Sequence, residues 1–337
     1  MSGGLPAVLA IDGGNSKTDV ALVAADGTLL GSARGPGVPA KLSGQTVAML
    51  ATIVGQAARD AGLHAGLARA AGTPIARHTI ACMANADLPE DEHRLAGMLR
   101  EQGWSDTTEV ANDTFAVLRA GLDPAGGSWG VGVTCGAGIN CVGVAPDGRT
   151  TGFLALGQIT GDWGGGYGLG LQTLWWAMRA EDGRGPGTAL RAAVTAHFGV
   201  PEVRDVAVRV HHGTIVKDGL AELAPVLFAV AASGDQVARD LVSHQADEVC
   251  AMALTVMRRL DLTGLATPVV LGGRVLTARH PLLTGWITER LAAGAPAADV
   301  RVTDVPPIAG AALLGLDQTG AQAGAKLRLH AAYLAVS

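Results

Sequence analysis

Two segments of the chain, about 120 residues apart, repeat one pattern of strands and glycine-rich bends. The first reads VLAIDGGNSKTDVALVAADGTLLGSARG (residues 8–35) and the second SWGVGVTCGAGINCVGVAPDGRTTGFLALG (residues 128–157). Each begins with an apolar strand, breaks at a hydroxyl-bearing bend, resumes as a strand and turns back at Asp-Gly. Two such loops facing each other would hold the phosphates of one nucleotide, which implies two domains with a phosphoryl-transfer site in the cleft between them.

Composition bounds the remaining possibilities. A length of 337 residues indicates about two domains. The net charge of -5 argues against a general nucleic-acid binder. There is no membrane-length apolar run and no signal-peptide pattern at the N-terminus, so we expect a cytoplasmic protein without a membrane partner. The four cysteines form no CxxC pair, which argues against a disulfide scaffold or a structural zinc site.

Local patterns predict alternating strands and helices. Helices are expected over residues 43–62 and 88–103, and a third runs from a cap at residues 112–114 to Gly121. Buried strands are expected at residues 78–84 and from residue 267 to the Gly272-Gly273 pair. The alternation predicts an α/β fold, and the hairpins make each sheet mixed instead of purely parallel.

The first bend carries the side chains expected to contact phosphate and metal. Its glycines allow the backbone to approach a phosphate closely, and Ser16 and Thr18 share one side of the returning strand, whereas Lys17 points the other way unless the bend redirects it. Asp12 is placed to hold a hydrated Mg²⁺. A plain hairpin with a glycine bulge is the alternative. The predicted nucleotide-binding residues here are Asp12, Gly14, Asn15, Ser16, Lys17 and Thr18.

The second bend offers fewer donors, namely Thr134 and the backbone amides around Gly136 and Gly138. Gly272 and Gly273 follow a late strand and complete the expected nucleotide site. The chain has no GxxxxGK[ST] motif, and no GxGxxG opens a βαβ unit, so P-loop and Rossmann sites are excluded.

These ordered motifs resemble the sugar kinase, heat-shock chaperone and actin superfamily, within it the branch of N-acetylglucosamine kinases and BadF/BadG-type ATPases. The resemblance implies two actin-like (ribonuclease H-like) domains, mixed sheets flanked by helices, and ATP with Mg²⁺ in the interdomain cleft. We expect a smaller domain of residues 1–112 plus 317–337 and a larger one of residues 113–316. Leu271-Gly272-Gly273 resembles the adenosine motif.

The resemblance also assigns substrate contacts. Asp113 aligns with the carboxylate that takes the proton from a sugar hydroxyl, and the start of a helix should favour its ionised form; a mere N-cap is the alternative. Gly161-Asp162 matches a sugar-contacting pair, although Asp162 could simply cap a glycine-rich loop. Gln158 flanks that pair, and Asn85 is placed to bind a sugar hydroxyl or to form a turn.

Three departures from the N-acetylglucosamine kinases favour a free amino sugar. Ala137 and Ile139 replace hydroxyl-bearing residues, Leu156 replaces a Trp beside the acetyl pocket, and residues 36–40 replace an Asn-bearing segment. A cationic amine would suit the Asp162 carboxylate through a charge-assisted hydrogen bond. We therefore predict ATP-dependent phosphorylation of glucosamine at the 6-hydroxyl, with N-acetylglucosamine as the alternative substrate.

Other functional classes remain open. A BadF-type ATPase activator would need a [4Fe–4S] cluster, which would collide with phosphates near Cys135 and Cys141. A sugar-responsive regulator would need a helix-turn-helix before the first strand, and non-catalytic sugar binding is a third possibility. Relatives are often dimers, so a homodimer is possible, and the roles of His211 and His212 stay undecided between sugar contact and surface.

Overall fold

The computed structural model describes residues 5–39, 43–63 and 74–335 and has an α/β fold. Within these ranges ten strands form two five-stranded sheets. The strands are β1 (Val8–Gly13), β2 (Lys17–Val23), β3 (Leu29–Pro36), β4 (Ala76–Met83), β5 (Ser105–Asn112), β6 (Gly130–Cys135), β7 (Ile139–Val144), β8 (Thr150–Gly152), β9 (Pro268–Gly272) and β10 (Asp299–Val302).

Both sheets follow one plan. The strand orders are β3-β2-β1-β4-β5 and β8-β7-β6-β9-β10, so each hairpin repeat occupies the same places in its sheet. β1 pairs antiparallel with β2 and parallel with β4, while β7 and β8 are antiparallel and β9 and β10 parallel. The predicted duplication and the mixed character of both sheets are thereby confirmed.

The helices agree with the sequence pattern in place, although α1 and α2 end at Asp60 and Arg100, two and three residues before the predicted ends. The three predicted helices of the first 121 residues appear as α1, α2 and α3, and α3 ends at Gly121. The described helices are α1 (Gly44–Asp60), α2 (Pro89–Arg100), α3 (Asp113–Ala120), α4 (Gly165–Glu181), α5 (Leu190–Phe198), α6 (Val203–His211), α7 (Leu223–Ala232), α8 (Gln236–Arg259), α9 (Arg274–Thr277), α10 (Pro281–Gly294), α11 (Pro307–Gln318) and α12 (Ala323–Leu334), with 3-10 turns at Gly157–Ile159 and Lys217–Glu222.

The chain divides into two compact units. The first contains the described residues of Met1–Gly132, Val142–Leu154 and Thr303–Ser337, and the second contains Val133–Cys141 and Ala155–Val302. The predicted smaller domain includes residues 1–4, 40–42, 64–73, 336 and 337, which lie outside the described residues.

The central strands β1 and β4 of the first sheet are buried on both faces, which explains why they are mostly apolar, whereas the edge strands β3 and β5 are partly exposed and carry polar residues. Leu9 and Ile11 of β1 belong to a core cluster that also contains residues of α1 and α2. Val8 and Ala10 belong to a second cluster that contains residues of α11. Alternate residues of one strand therefore enter two separate cores, as the two-residue period of a strand requires.

Helices α3 and α11 pack closely in the first unit. A Cβ added at Gly310 would lie 1.9 Å from the carbonyl oxygen of Ala116, so only glycine fits there. Arg119 of α3, which is 1% exposed, donates from Nε to Oδ2 of Asp317 at 2.7 Å. Ser128 and Lys326 also contact Asp317, at 2.8 and 2.6 Å. One buried ionic network thus joins α3, α11 and α12.

No single helix among the described residues is long and apolar enough to cross a membrane. The consecutive segments Asp218–Ala232 and Gln236–Arg259 reach that length and hydropathy only together, and they are bent by 116° at the break between them.

Candidate active site

The parallel strands of the first sheet end together. Gly13 of β1 is in register with Met83 of β4, which in turn is in register with Asn112 of β5. Residues that follow these three strands therefore gather at the carboxyl edge of the sheet, where ligands of open α/β sheets bind. The predicted residues Asn85 and Asp113 both come directly after these strand ends.

Asp12 is a buried carboxyl group beside two others. It lies opposite Asp19 in the β1–β2 ladder and is 6% exposed. Burial, followed by the negative charges of Asp113 and Asp19, raises the pKa of Asp12 to about 8, while Lys17 and Arg34 act in the opposite direction. A bound cation would relieve this repulsion, so the site fits the Mg²⁺ that the sequence predicts.

The described residues contain no cluster of three or more His, Cys, Asp or Glu side chains able to hold a metal. Mg²⁺ does not require such a cluster, because it commonly keeps several waters and uses one or two carboxylates together with substrate phosphates. Asp12 therefore stays the predicted protein ligand for a nucleotide-bound Mg²⁺.

Asp113 is the first residue of α3 but does not provide its cap hydrogen bond. The side-chain oxygen of Asn112 accepts from the Thr114 amide at 2.9 Å, and its Nδ2 donates to Asp87 at 2.8 Å. Burial raises the pKa of Asp113 to about 6, against the lowering effect of the Thr114 amide. The helix amides favour the ionised form, as expected, but desolvation outweighs them and the net pKa is raised.

The first phosphate loop, residues 12–18, is held in shape by backbone contacts. Gly14 donates its N–H to the Lys17 carbonyl at 3.0 Å, and its own carbonyl accepts from Val38 at 2.9 Å. Asn15 and Ser16 are exposed at the bend. Asn85, in the left-handed region with φ of 64°, donates from Nδ2 to Oδ1 of Asn15 at 2.8 Å. The structure thus brings the two predicted asparagines together.

The two residues that follow the bend have different environments. Lys17 forms an ion pair with Asp19 at 2.6 Å, and Arg34 contacts the same carboxylate at 2.6 Å. Thr18 is fully buried, and its hydroxyl has no hydrogen-bond partner within residues 5–39, 43–63 and 74–335. A buried hydroxyl without a partner is unusual, which makes Thr18 a candidate for a ligand contact or a local rearrangement.

The second phosphate loop, residues 134–140, is closed by a hydrogen bond from the Gly136 N–H to the Gly138 carbonyl at 2.9 Å. The Thr134 hydroxyl is buried and has no partner in the described part of the chain. Gly273 has φ of 82°, and a Cβ there would lie 2.5 Å from the carbonyl carbon and oxygen of Cys135. The predicted adenosine segment therefore packs directly on the loop, backbone against backbone.

The start of α4 packs on the same loop. Gly166 donates its N–H to the Gly136 carbonyl at 2.7 Å, and Tyr167 donates to the Ala137 carbonyl at 3.0 Å. A Cβ at Gly165 would lie 2.5 Å from that Ala137 oxygen. Glycines at this helix start are thus required by the contact itself.

The predicted sugar loop, residues 157–162, is a compact turn just before α4. Thr160 donates from Oγ1 to Oδ2 of Asp162 at 2.6 Å, and the Asp162 amide donates to the Gly157 carbonyl at 3.1 Å. Gln158 is exposed, whereas Asp162 is half-buried. The turn orients the Asp162 carboxylate through Thr160 and leaves the Gln158 side chain accessible to a ligand.

Sequence reasoning missed two residues of α8 that contact this region. His244 stacks on Trp163 with ring centroids 4.0 Å apart, and Gln245 accepts a hydrogen bond from the Gly165 amide at 3.0 Å. No sequence signal identifies these two residues, because they lie about 80 residues after the glycine-rich segment in the chain and belong to a regular amphipathic helix. His211 and His212 are exposed at the end of α6, with their rings 5.1 Å apart.

Comparison with known proteins identifies the family. Residues 9–315 match the profile of the BadF/BadG/BcrA/BcrD ATPase family. The chain belongs to this family. The resemblance inferred from the two phosphate loops, Asp113 and the Gly272-Gly273 pair is thereby confirmed.

Two relatives of this BadF/BadG/BcrA/BcrD member carry kinase names. An N-acetylmuramic acid/N-acetylglucosamine kinase of Clostridium acetobutylicum is 25% identical over 272 residues, which cover 80% of this chain and 85% of the relative. An N-acetyl-D-glucosamine kinase of Dictyostelium discoideum is 26% identical over 239 residues, which cover 70% and 74%.

Solved structures show the same fold in this family member and in sugar kinases. A Chromobacterium violaceum protein provisionally assigned as an N-acetylglucosamine kinase is 23% identical, with a TM-score of 0.70 over 93% of this chain and 99% of that one. A ROK family glucokinase of Streptomyces griseus, solved with glucose and AMPPNP, is 14% identical, with a TM-score of 0.53 over 92% and 98%.

Proposed function

We propose that this protein is an ATP-dependent, Mg²⁺-requiring kinase that transfers phosphate to the 6-hydroxyl of glucosamine. The observation that carries the proposal is the placement of Asp113. It lies at the carboxyl edge of the first sheet, next to Asp12, and Asn112 provides the cap hydrogen bond of α3 in its place. Fold likeness to sugar kinases and the kinase names of two relatives support the same class of reaction.

Asp113 would accept the proton of the sugar hydroxyl as that oxygen attacks the γ-phosphate. A pKa of about 6 leaves the carboxylate mostly ionised at neutral pH and still basic enough to bind the proton. Phosphoryl transfer depends mainly on positioning and charge neutralisation, so a weak base is sufficient. Asn85, held by Asn15, would fix a second hydroxyl of the same sugar.

The nucleotide would be held by both phosphate loops. Asp12 would hold a hydrated Mg²⁺, which when bound neutralises charge on the transferred phosphate. In the first loop, Ser16 and the amides at Gly14 and Asn15 are the accessible donors. Lys17 would contribute after leaving Asp19, and Thr18 after a local rearrangement. The second loop would add the Thr134 hydroxyl and the amides at Gly136 and Gly138, and Gly272 and Gly273 would lie along the adenosine.

Asp162 is the basis for choosing glucosamine. Its carboxylate is oriented by Thr160 and would bind the substrate ammonium through a charge-assisted hydrogen bond, with Gln158 beside it. Leu156, where the acetyl-sugar kinases carry Trp, is 42% exposed and offers no flat ring for an acetyl group. Residue 40, the end of the third departing segment, lies outside the described residues.

A second candidate is an N-acetylglucosamine kinase, because both named relatives act on N-acetylated sugars according to their names. A BadF-type ATPase activator is less well supported. Cys135 and Cys141 are buried within the second hairpin, where a cluster would collide with the phosphates of a bound nucleotide. The homodimer and the cytoplasmic location remain predictions from the sequence.

The test is a kinase assay with ATP and Mg²⁺ across glucosamine, N-acetylglucosamine and glucose, with the phosphorylated position read by NMR. We expect the highest kcat/KM for glucosamine and 6-phosphate as product. A higher value for the acetylated sugar would replace glucosamine by the second candidate, and no turnover on any sugar would reject the kinase. Asp113→Asn should abolish turnover but retain nucleotide binding, whereas Asp106→Asn, an exposed change on the preceding strand β5, should leave both intact.

A further inference from the structure

The first turn of α4 lies between the predicted sugar loop and the second phosphate loop. We propose that Gln245 is a positioning residue that holds this turn and thereby couples sugar binding to nucleotide binding. The inference rests on the proposed function, because it assigns the two ligands to residues 157–162 and 134–140. Its structural basis is a continuous series of contacts within the second unit.

Gln245 supports the turn from inside the core. It is fully buried, and its Oε1 accepts from the Gly165 N–H at 3.0 Å. Its Nε2 has no hydrogen-bond partner among the residues that the structure describes. The unsatisfied Nε2 is unfavourable for stability, but an apolar side chain would leave the buried Gly165 N–H without this acceptor. The contact that Gln245 contributes is therefore the hydrogen bond to Gly165, which holds the first turn of α4.

The first turn of α4 is in close contact with Gln245 on one side and with the second phosphate loop on the other. A Cβ at Gly164, whose φ is 104°, would lie 2.1 Å from Gln245 Oε1. On the other side, the Gly166 and Tyr167 amides bind the carbonyls of Gly136 and Ala137. Close-packed backbone transmits small displacements instead of absorbing them.

The sugar side is fixed by the adjacent residue of α8. His244 stacks on Trp163 with an interplanar angle of 21°, and Trp163 directly follows Asp162. Two consecutive side chains of α8, His244 and Gln245, thus contact Trp163 and Gly165 in the segment that joins Asp162 to the second phosphate loop. A ligand that fixes Asp162 would order the carbonyls at Gly136 and Ala137, and a nucleotide on that loop would order Asp162.

Coupling of this kind is reciprocal. Glucosamine should tighten binding of Mg²⁺·AMPPNP, a non-hydrolysable ATP analogue, about five-fold or more, and AMPPNP should tighten glucosamine by the same factor. AMPPNP alone should slow hydrogen exchange of the amides in residues 157–166. This second readout requires no sugar.

Three variants separate positioning from general loosening. Gln245→Met removes the acceptor with little change of shape and should abolish both the mutual tightening and the exchange protection. Gln245→Glu keeps an acceptor for Gly165 and should retain most of both. Thr173→Val, the matched control, deletes a buried hydroxyl that donates to the Leu169 carbonyl of its own helix at 2.7 Å, and it should change neither.

Calorimetry for the two ligands, exchange mass spectrometry and a thermal melt on each full-length variant decide the matter. Retained coupling in Gln245→Met, or equal loss in Thr173→Val, overturns the proposal, as does wild-type protein that binds both ligands without coupling. Wild-type protein that binds no nucleotide overturns the proposed function and this inference with it. A kinase that is active on another sugar leaves the inference testable with that sugar.

Discussion

The side chain of Asn112 accepts a hydrogen bond from the Thr114 amide at 2.9 Å, and α3 is therefore capped by the residue before Asp113. An aspartate used as the cap would be bonded to the helix amides and would have a low pKa. Asn112 takes the cap position, and burial raises the pKa of Asp113 to about 6, outweighing the Thr114 amide, which still lowers it. The Asp113 carboxylate therefore has a pKa that suits the proposed proton transfer near neutral pH.

The first prediction concerns the acid limb of the pH–rate profile. A base with a pKa of about 6 is protonated below that pH, so kcat/KM should fall about ten-fold per pH unit below pH 6 and level off above it. Initial rates between pH 4.5 and 8 at saturating Mg²⁺·ATP, where the bound cation would keep Asp12 ionised, would show this. An inflection near 4, the ordinary value for Asp, would contradict the environment described for Asp113.

The second prediction is that Asp12→Asn stabilises the ligand-free protein while abolishing turnover. The folded-state pKa of about 8 lies above the ordinary 3.8, so the native state holds its proton longer than the unfolded chain. Stability from this group is complete below pH 4 and decreases as pH rises through 8. The substitution should therefore add about 1–3 kcal/mol near pH 8 and almost nothing at pH 4.

Thermal melts at several pH values, without nucleotide or metal, test this directly. Asp26→Asn serves as the control, because Asp26 is exposed and the Thr28 amide holds its pKa below the ordinary value. That variant should not raise the midpoint at any pH. A gain for Asp12→Asn that is equal at pH 4 and pH 8 would show that the charge of Asp12 is not the cause.

Much of this fold could be predicted because its signals are local. Asp-Gly turns mark both hairpins, and the start of α3 is marked by residues 112–114, all of which act over a few positions. The duplicated order of the two sheets then follows from repeating one hairpin. The position of Asp113, after a strand and at the start of a helix, could likewise be predicted from the residues next to it in the sequence.

The contacts that orient the site could not be predicted in this way. Asn85 meets Asn15 across 70 residues, and Gln245 meets Gly165 across 80. Such pairs depend on strand register and helix packing, which cannot be predicted from local patterns in a single sequence. The raised pKa of Asp113 was not predicted for a related reason, because the effect of the helix start is local whereas burial depends on the packing of the whole unit.

The third prediction concerns the buried network of Arg119 and Asp317. Asp317→Asn should destabilise the protein by about 3 kcal/mol or more, because it leaves the 1% exposed guanidinium of Arg119 without its counter-charge. Arg119→Met should be milder, since Asp317 keeps Lys326 and Ser128. Urea unfolding measures both. Asp147→Asn breaks an ion pair that is more than half exposed and should not shift the midpoint. Equal losses for the two buried partners would contradict the proposed asymmetry.

The fourth prediction separates backbone strain from steric contact at the predicted adenosine segment. Gly273 and Gly148 have similar φ angles, 82° and 87°, but only Gly273 has backbone within reach of an added Cβ, at 2.5 Å from Cys135. Gly148→Ala should cost about 1–2 kcal/mol from its left-handed backbone alone. Gly273→Ala should cost clearly more and also weaken Mg²⁺·AMPPNP binding, because relief of the clash must displace the second phosphate loop. Unfolding curves and nucleotide calorimetry on both variants provide the comparison, and unchanged nucleotide affinity in Gly273→Ala would argue that the loop tolerates displacement and does not set the nucleotide position.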